Sequence, residues 1–229
     1  MKNNKRGVTH HNLTAFVMAI ILTIASLGFS NANRVAAAGG TCPSIIANLE
    51  YATFPNNTVN VQQTAYGSYS HSGKNVTDIV PSGRVVAPFS GSIKYIDKSW
   101  GYVIMQSDNP VRYADGTVDY MCVGFMHDNN ISDLYVGKHL VKGQAFYDKG
   151  DKKGAGGKDI TGAHVHIIVM RGKFSNSMKS HYSERGNVYI YNAFWLTPNT
   201  KISKSSKYKE AYWRYMPPIC PVNPYICTF

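Results

Sequence analysis

Apolar and polar positions alternate in short bursts through the middle of the chain. Arg84-Val85-Val86-Ala87-Pro88, Gly91-Ser92-Ile93-Lys94-Tyr95-Ile96, Tyr102-Val103-Ile104-Met105-Gln106, Tyr120-Met121-Cys122-Val123-Gly124-Phe125-Met126 and residues 164–170 are each rich in β-branched and aromatic side chains, and Gly, Asp, Asn or Pro punctuates them. Such runs read as strands bounded by turns. No helix-length amphipathic segment lies between them, so the pattern predicts a mostly β fold, as a sheet, sandwich or barrel.

The flanking regions differ. Residues 39–68 are polar and only weakly alternating, and read as an N-terminal arm or irregular strand. Val136-Gly137-Lys138-His139-Leu140-Val141-Lys142-Gly143-Gln144 reads as a tight turn pair with glycine at the special backbone positions. The Gly- and Lys-rich residues 148–163 form a loop that delivers the chain into the last strand, where loops often wall a binding cleft. Beyond residue 170 the composition becomes aromatic and basic, with Tyr189, Tyr191, Phe194, Trp195, Tyr208, Tyr212, Trp213 and Tyr215. These rings could stack on sugars. The expectation is that they pack back on the β-domain and close its edge, because large aromatics dominate burial.

The start of the chain does not belong to this pattern. Lys2, Lys5 and Arg6 precede an uncharged apolar run over residues 13–29, and Ala36-Ala37-Ala38 follows. A basic start, an apolar middle and small residues at the cut make a secretory signal over residues 1–38. Cleavage is expected after Ala38, with Ala32 as the second choice and a retained membrane anchor as the other reading. Residues 1–38 hold four basic and no acidic groups, so the remainder keeps 20 basic against 13 acidic residues, a net charge of +7. About 190 residues suffice for one domain with a proper core and an appendage. A basic exported chain suits an acidic partner surface such as a cell wall or anionic membrane. Nucleic acid fits less well, because no basic-aromatic recognition motif is present.

Four cysteines, Cys42, Cys122, Cys220 and Cys227, permit two disulfides in an exported chain. Cys220 with Cys227 would close a short Pro-rich loop, leaving Cys42 to meet Cys122. No CxxC pair is present, which speaks against a cysteine zinc site.

The chemistry gathers around Gly162-Ala163-His164-Val165-His166. On a strand, residues two apart share a face, so His164 and His166 project side by side. They can present two imidazoles to one metal ion, or one to a metal and one to a substrate beside it. Upstream, the hydrophilic stretch 70–78 offers His71 and Asp78, and His127 ends another strand. Catalytic zinc takes three N or O ligands and keeps a position open for water. His71, Asp78 and one of the paired histidines supply that set. The remaining paired histidine and His127 could hydrogen-bond the water or an oxyanion.

Four features in register carry a resemblance: the His164-Val165-His166 pair, Val86-Ala87-Pro88-Phe89-Ser90-Gly91-Ser92-Ile93, Met126-His127 and the turn over 136–144. Together they resemble the lysostaphin and LytM family of zinc endopeptidases over residues 69–172. The resemblance implies a mostly antiparallel β-sheet with a metal groove; by composition, residues 173–229 form an aromatic C-terminal extension beyond it. The resemblance further implies one Zn2+ held by His71, Asp78 and His166, with His127 and His164 as catalytic residues flanking the water. It also implies peptidoglycan peptides as substrate.

One departure stands out. The family usually writes its first motif as His-x-x-x-Asp, whereas six residues separate His71 from Asp78 and Asn75 holds the fourth place. That interval favours a second reading, a non-catalytic relative that binds a wall or protein partner. His139 reads as a surface residue and His181 as structural or exposed. Asp128 and Asp159 are candidate orienting partners for a histidine, with solvated loop carboxylates the expected reading for both.

Overall fold

Strands need backbone partners for their N–H and C=O groups, and most of this chain's strands find them in one eight-stranded sheet. The computed structural model describes residues 49–67, 70–151, 160, 162–180, 188–197 and 199–204. In chain order the strands are β1 (Thr58–Gln63), β2 (Thr77–Pro81), β3 (Val85–Val86), β4 (Gly91–Asp97), β5 (Tyr102–Ser107), β6 (Val111–Arg112), β7 (Val118–Asp119), β8 (Met121–Met126), β9 (His139–Leu140), β10 (Ala145–Tyr147), β11 (Val165–Arg171) and β12 (Lys201–Lys204). A 3-10 turn (Asn176–Lys179) and one short helix, α1 (Ile190–Ala193), lie between β11 and β12. The large sheet runs β12-β1-β2-β11-β8-β5-β4-β9, while β10 pairs with β3 and β6 with β7. All its pairings are antiparallel except that of β1 with β12. The fold is mostly β, as the alternation predicts.

Successive side chains on a strand go to opposite faces. Val103 and Met105 of β5, Phe125 of β8, and Val165, Ile167 and Val169 of β11 enter the main core together with Phe89, Phe146 and Phe194. Their neighbours Tyr102, Ile104, Cys122, Met126, Ile168 and Met170 enter a second cluster with Val76 and Met178. Burial on both faces explains why these strands read as unbroken apolar runs. His164 and His166 are in step with Ile168 and Met170, so the histidine pair sits at the end of the second face. On that face Gly124 lies under the Tyr102 ring, where a Cβ would come within 2.7 Å of Cε2.

The sheet draws on residues outside 69–172. β1 comes from the polar stretch before it, with alternate residues buried, and β12 from the segment after it. Phe194 and Trp195 are buried, and Trp195 packs edge-on against Tyr51 at 5.8 Å between ring centroids. For these rings, packing on the β-domain is what the structure has. Tyr208, Tyr212, Trp213 and Tyr215, residues 1–38, and Cys42, Cys220 and Cys227 lie outside the described residues.

Cys122 corrects the disulfide expectation. It is a buried free thiol, and its Sγ donates to the Gly172 carbonyl at 3.5 Å instead of pairing with Cys42. Burial in the second cluster, with its side chain directed into the sheet face, is the physical reason. Among the described residues, no helix is long and apolar enough to cross a membrane.

Candidate metal centre

Strand register assembles the centre. β2 and β11 pair so that His166 stands directly opposite Asp78, and His166 Nδ1 lies 2.7 Å from Asp78 Oδ1. On its other side His166 is opposite Met126, the last residue of β8, so His127 emerges beside it. The ends of three adjacent strands therefore meet at one place.

His71 arrives from the loop that leads into β2. Gln63 anchors the loop by accepting from the Ser70 N–H at 3.2 Å. The chain then turns at 71–74, with the Lys74 N–H donating to the His71 carbonyl at 2.8 Å and Gly73 at φ +71°. That turn takes up the long interval between His71 and Asp78. His71 Nε2 ends 3.1 Å from Asp78 Oδ2, whereas Asn75 is buried outside the ligand group. The donor atoms of His71, Asp78 and His166 all lie within 4.8 Å of one another.

The tautomers favour a cation. His71 Nδ1 lies 3.0 Å from the Thr64 carbonyl, an oxygen that can only accept, so the ring proton resides on Nδ1. A neutral His71 therefore turns the lone pair of Nε2 toward a carboxylate oxygen, and this buried nitrogen has no hydrogen-bond partner. Two acceptors at 3.1 Å require a proton or a metal ion between them. The donor set, two imidazoles and a carboxylate, suits zinc. Burial pushes the Asp78 carboxyl up, but the His166 and His71 imidazoles outweigh it and hold it well below its ordinary 3.8. Burial lowers His166 from its ordinary 6.5, opposed by Asp78 and reinforced by His71 and His164. Both shifts favour the metal-competent forms, carboxylate and neutral imidazole.

Two more imidazoles complete the cluster. His164 Nδ1 faces the Gly162 carbonyl at 2.9 Å, which by the same reasoning leaves Nε2 bare. That Nε2 lies 3.6 Å from Asp78 Oδ1. The His127 ring is 4.7 Å from His164 and 5.8 Å from His166, centroid to centroid. Trp100 stands beyond it at 6.4 Å.

His127 occupies a left-handed backbone conformation, φ +91°, uncommon for a residue with a side chain and costing about 1–3 kcal/mol. Its N–H donates to the Trp100 carbonyl at 3.0 Å. The next N–H, of Asp128, donates to the Tyr147 hydroxyl at 2.9 Å, and that hydroxyl donates to the Gly101 carbonyl. Asp128 corrects its expectation: it is buried and accepts the N–H groups of Asn130 and Asp148, each at 2.8 Å. It braces two loops and is neither solvated nor bonded to a histidine ring, because the 127–130 and 148–151 loops fold over it. Tyr147 carried no signal in the sequence beyond an aromatic in a short strand.

All five candidate residues thus converge. His139 is exposed and pairs with Asp108 at 2.6 Å, away from the centre. His181 and Asp159 lie outside the described residues.

No family model matches the chain. It is 33% identical over 153 residues, 64% of its length, to Morphogenesis protein 1 of Bacillus phage B103, and spans 40% of that relative's length. Among solved structures it is similar to the antimicrobial peptidase lysostaphin from Staphylococcus simulans, at 20% identity and a TM-score of 0.38, covering 56% of this chain and 50% of that one. It is also similar to the deep-sea M23 metalloprotease pseudoalterin, at 12% identity and a TM-score of 0.38, covering 66% of this chain and 79% of that one.

Proposed function

We propose that the chain is an exported zinc endopeptidase that hydrolyses peptide bonds of bacterial peptidoglycan, in cross-bridges or stems. The observation that carries this reading is the convergence of His71, Asp78 and His166 with the His127 and His164 rings beside them. His71 Nε2, the Asp78 carboxylate and His166 Nδ1 would hold the ion. Zinc, when bound, supplies Lewis acidity and makes water nucleophilic near neutral pH.

The protein's own groups supply the proton transfers. His164, its proton kept on Nδ1 by Gly162, offers Nε2 to accept a proton from the attacking water and return it to the leaving amine. His127, held next to it, is placed to donate a hydrogen bond to the oxygen that gains charge. Peptidoglycan as substrate follows from the motif resemblance. The net charge of +7 over residues 39–229 supports adsorption to an anionic wall, an attraction that salt weakens. Export rests on the signal-like residues 1–38. The non-catalytic alternative drew on the long His71 to Asp78 interval, which the 71–74 turn absorbs.

The test is metal content together with turnover. Purified protein is expected to carry about one zinc and to solubilise cell walls, and chelation or His166→Ala should stop this. Full turnover by metal-free protein would overturn the reading. Zinc without turnover on any wall chemotype would support the non-catalytic alternative.

A further inference from the structure

We propose that Tyr147 is a positioning residue for His127 and His164, acting through a buried backbone clamp that leaves the three metal-binding side chains untouched. The inference deepens the zinc endopeptidase reading and rests on it for the two histidines' catalytic role.

The clamp joins segments that are far apart in the sequence. The Tyr147 side chain is fully buried. Its hydroxyl donates to the Gly101 carbonyl, in the turn between β4 and β5, and accepts from the Asp128 N–H at 2.9 Å. The residue before Gly101 accepts the His127 N–H at 3.0 Å. The hydroxyl thus ties Gly101 to Asp128, directly beside the backbone bond from His127 to Trp100, and φ is +91° at His127. Such a conformation persists only where its surroundings over-determine it.

The segment that follows β10 carries the clamp to His164. Three residues after Tyr147, Gly150 exchanges backbone hydrogen bonds with His164, at 3.1 and 3.2 Å. A Cβ at Gly150 would overlap the His127 carbonyl oxygen. Only a bare backbone lets the 147–150 segment touch His127 and pair with His164 at once. Asp128 holds that segment from the other side, accepting the Asp148 N–H at 2.8 Å. By contrast, none of these hydrogen bonds goes to the side chain of His71, Asp78 or His166: His71 Nδ1 faces the Thr64 carbonyl, and Asp78 and His166 stand opposite one another on β2 and β11, where the segment meets only the far end of β2, Lys149 Nζ donating to the Pro81 carbonyl at 3.3 Å.

The experiment compares Tyr147→Phe, which removes only the hydroxyl, with Gly150→Ala, which pushes on the His127 carbonyl. In both variants the bound metal and the cobalt(II)-substituted absorption spectrum should match the parent. The imidazole carbon-proton NMR signals of His127 and His164 should shift while those of His71 and His166 stay in place. Turnover of wall peptide should fall at least about tenfold in kcat with KM unchanged, the signature of an interaction used in the transition state. Unchanged His127 and His164 signals, with parental kcat, would overturn the proposal. So would a loss of turnover that follows loss of metal or of the cobalt spectrum. Should the parent cleave no wall at all, the endopeptidase reading fails, and the selective NMR shift still decides whether the clamp positions these two rings.

Discussion

His166 and Asp78, 88 residues apart in the chain, stand opposite one another on adjacent antiparallel strands with Nδ1 2.7 Å from Oδ1. Everything at the candidate metal centre is arranged around that pair. It also makes the metal-free protein sensitive to acid. His166 is lowered from 6.5 and Asp78 lies well below 3.8, so in the window below each ordinary value the unfolded chain binds more protons than the folded one. Stability therefore falls with falling pH, first below 6.5 through His166 and then below 3.8 through Asp78. Melting in chelator should show the first decline between neutral pH and pH ~5. His166→Gln should flatten it.

Alkali acts through buried thiol and phenol groups. Burial pushes the Cys122 thiol from 9.0 up to about 12, and it raises the Tyr102, Tyr113 and Tyr147 hydroxyls above their ordinary 10.0. These groups stay protonated in the fold while the unfolded chain releases protons, so stability falls as pH rises above about 9. Thermal melts between pH 8 and 11 should show this. A thiol reagent at pH 8 should leave Cys122 untouched in the native protein and modify it once denaturant is added.

The turn that admits the long His71 to Asp78 interval depends on Gly73 at φ +71°. Gly73→Val forces a β-branched residue into the left-handed region, a strain of about 1–2 kcal/mol, and should displace His71 from Asp78. Zinc affinity, read by competition with a chromophoric chelator, is expected to fall by roughly tenfold or more, since about 1.4 kcal/mol is a factor of ten. Gly73→Asn should be tolerated far better. Equal affinity for both variants would show that the turn does not govern the ligand's position.

Phe125 tests the core behind the centre. It is fully buried and meets Phe146 edge-on at 5.3 Å between centroids, two residues before His127. Phe125→Ala is expected to lower the unfolding free energy by about 3–5 kcal/mol, the usual range for a buried phenylalanine. Urea titration followed by tryptophan fluorescence would measure it, with a midpoint shift at unchanged slope as the expected form.

How far the chain could be read varied with how local the signal was. The central strands were legible because burial on both faces leaves them as continuous apolar runs. β2 was not: its Thr77 and Asp78 are buried polar residues, Asp78 serving the centre, so the segment looked hydrophilic. The paired histidines were visible through the two-residue period of a strand, and the turn over 136–144 through its glycines, at φ +94° and +82°.

Residue types and short-range period, which depend on neighbours a few positions away, determined the β class and the inventory of imidazoles and carboxylates. Tertiary structure alone decided which of these meet. A strand's hydrogen-bond partners lie far off in the chain, and only the packed register sets Asp78 against His166. In the same way, folding turned Asp128 into a buried brace, left Cys122 a free thiol under the sheet and brought the Tyr147 hydroxyl to the Asp128 N–H, since burial and long-range contact have no counterpart in local pattern.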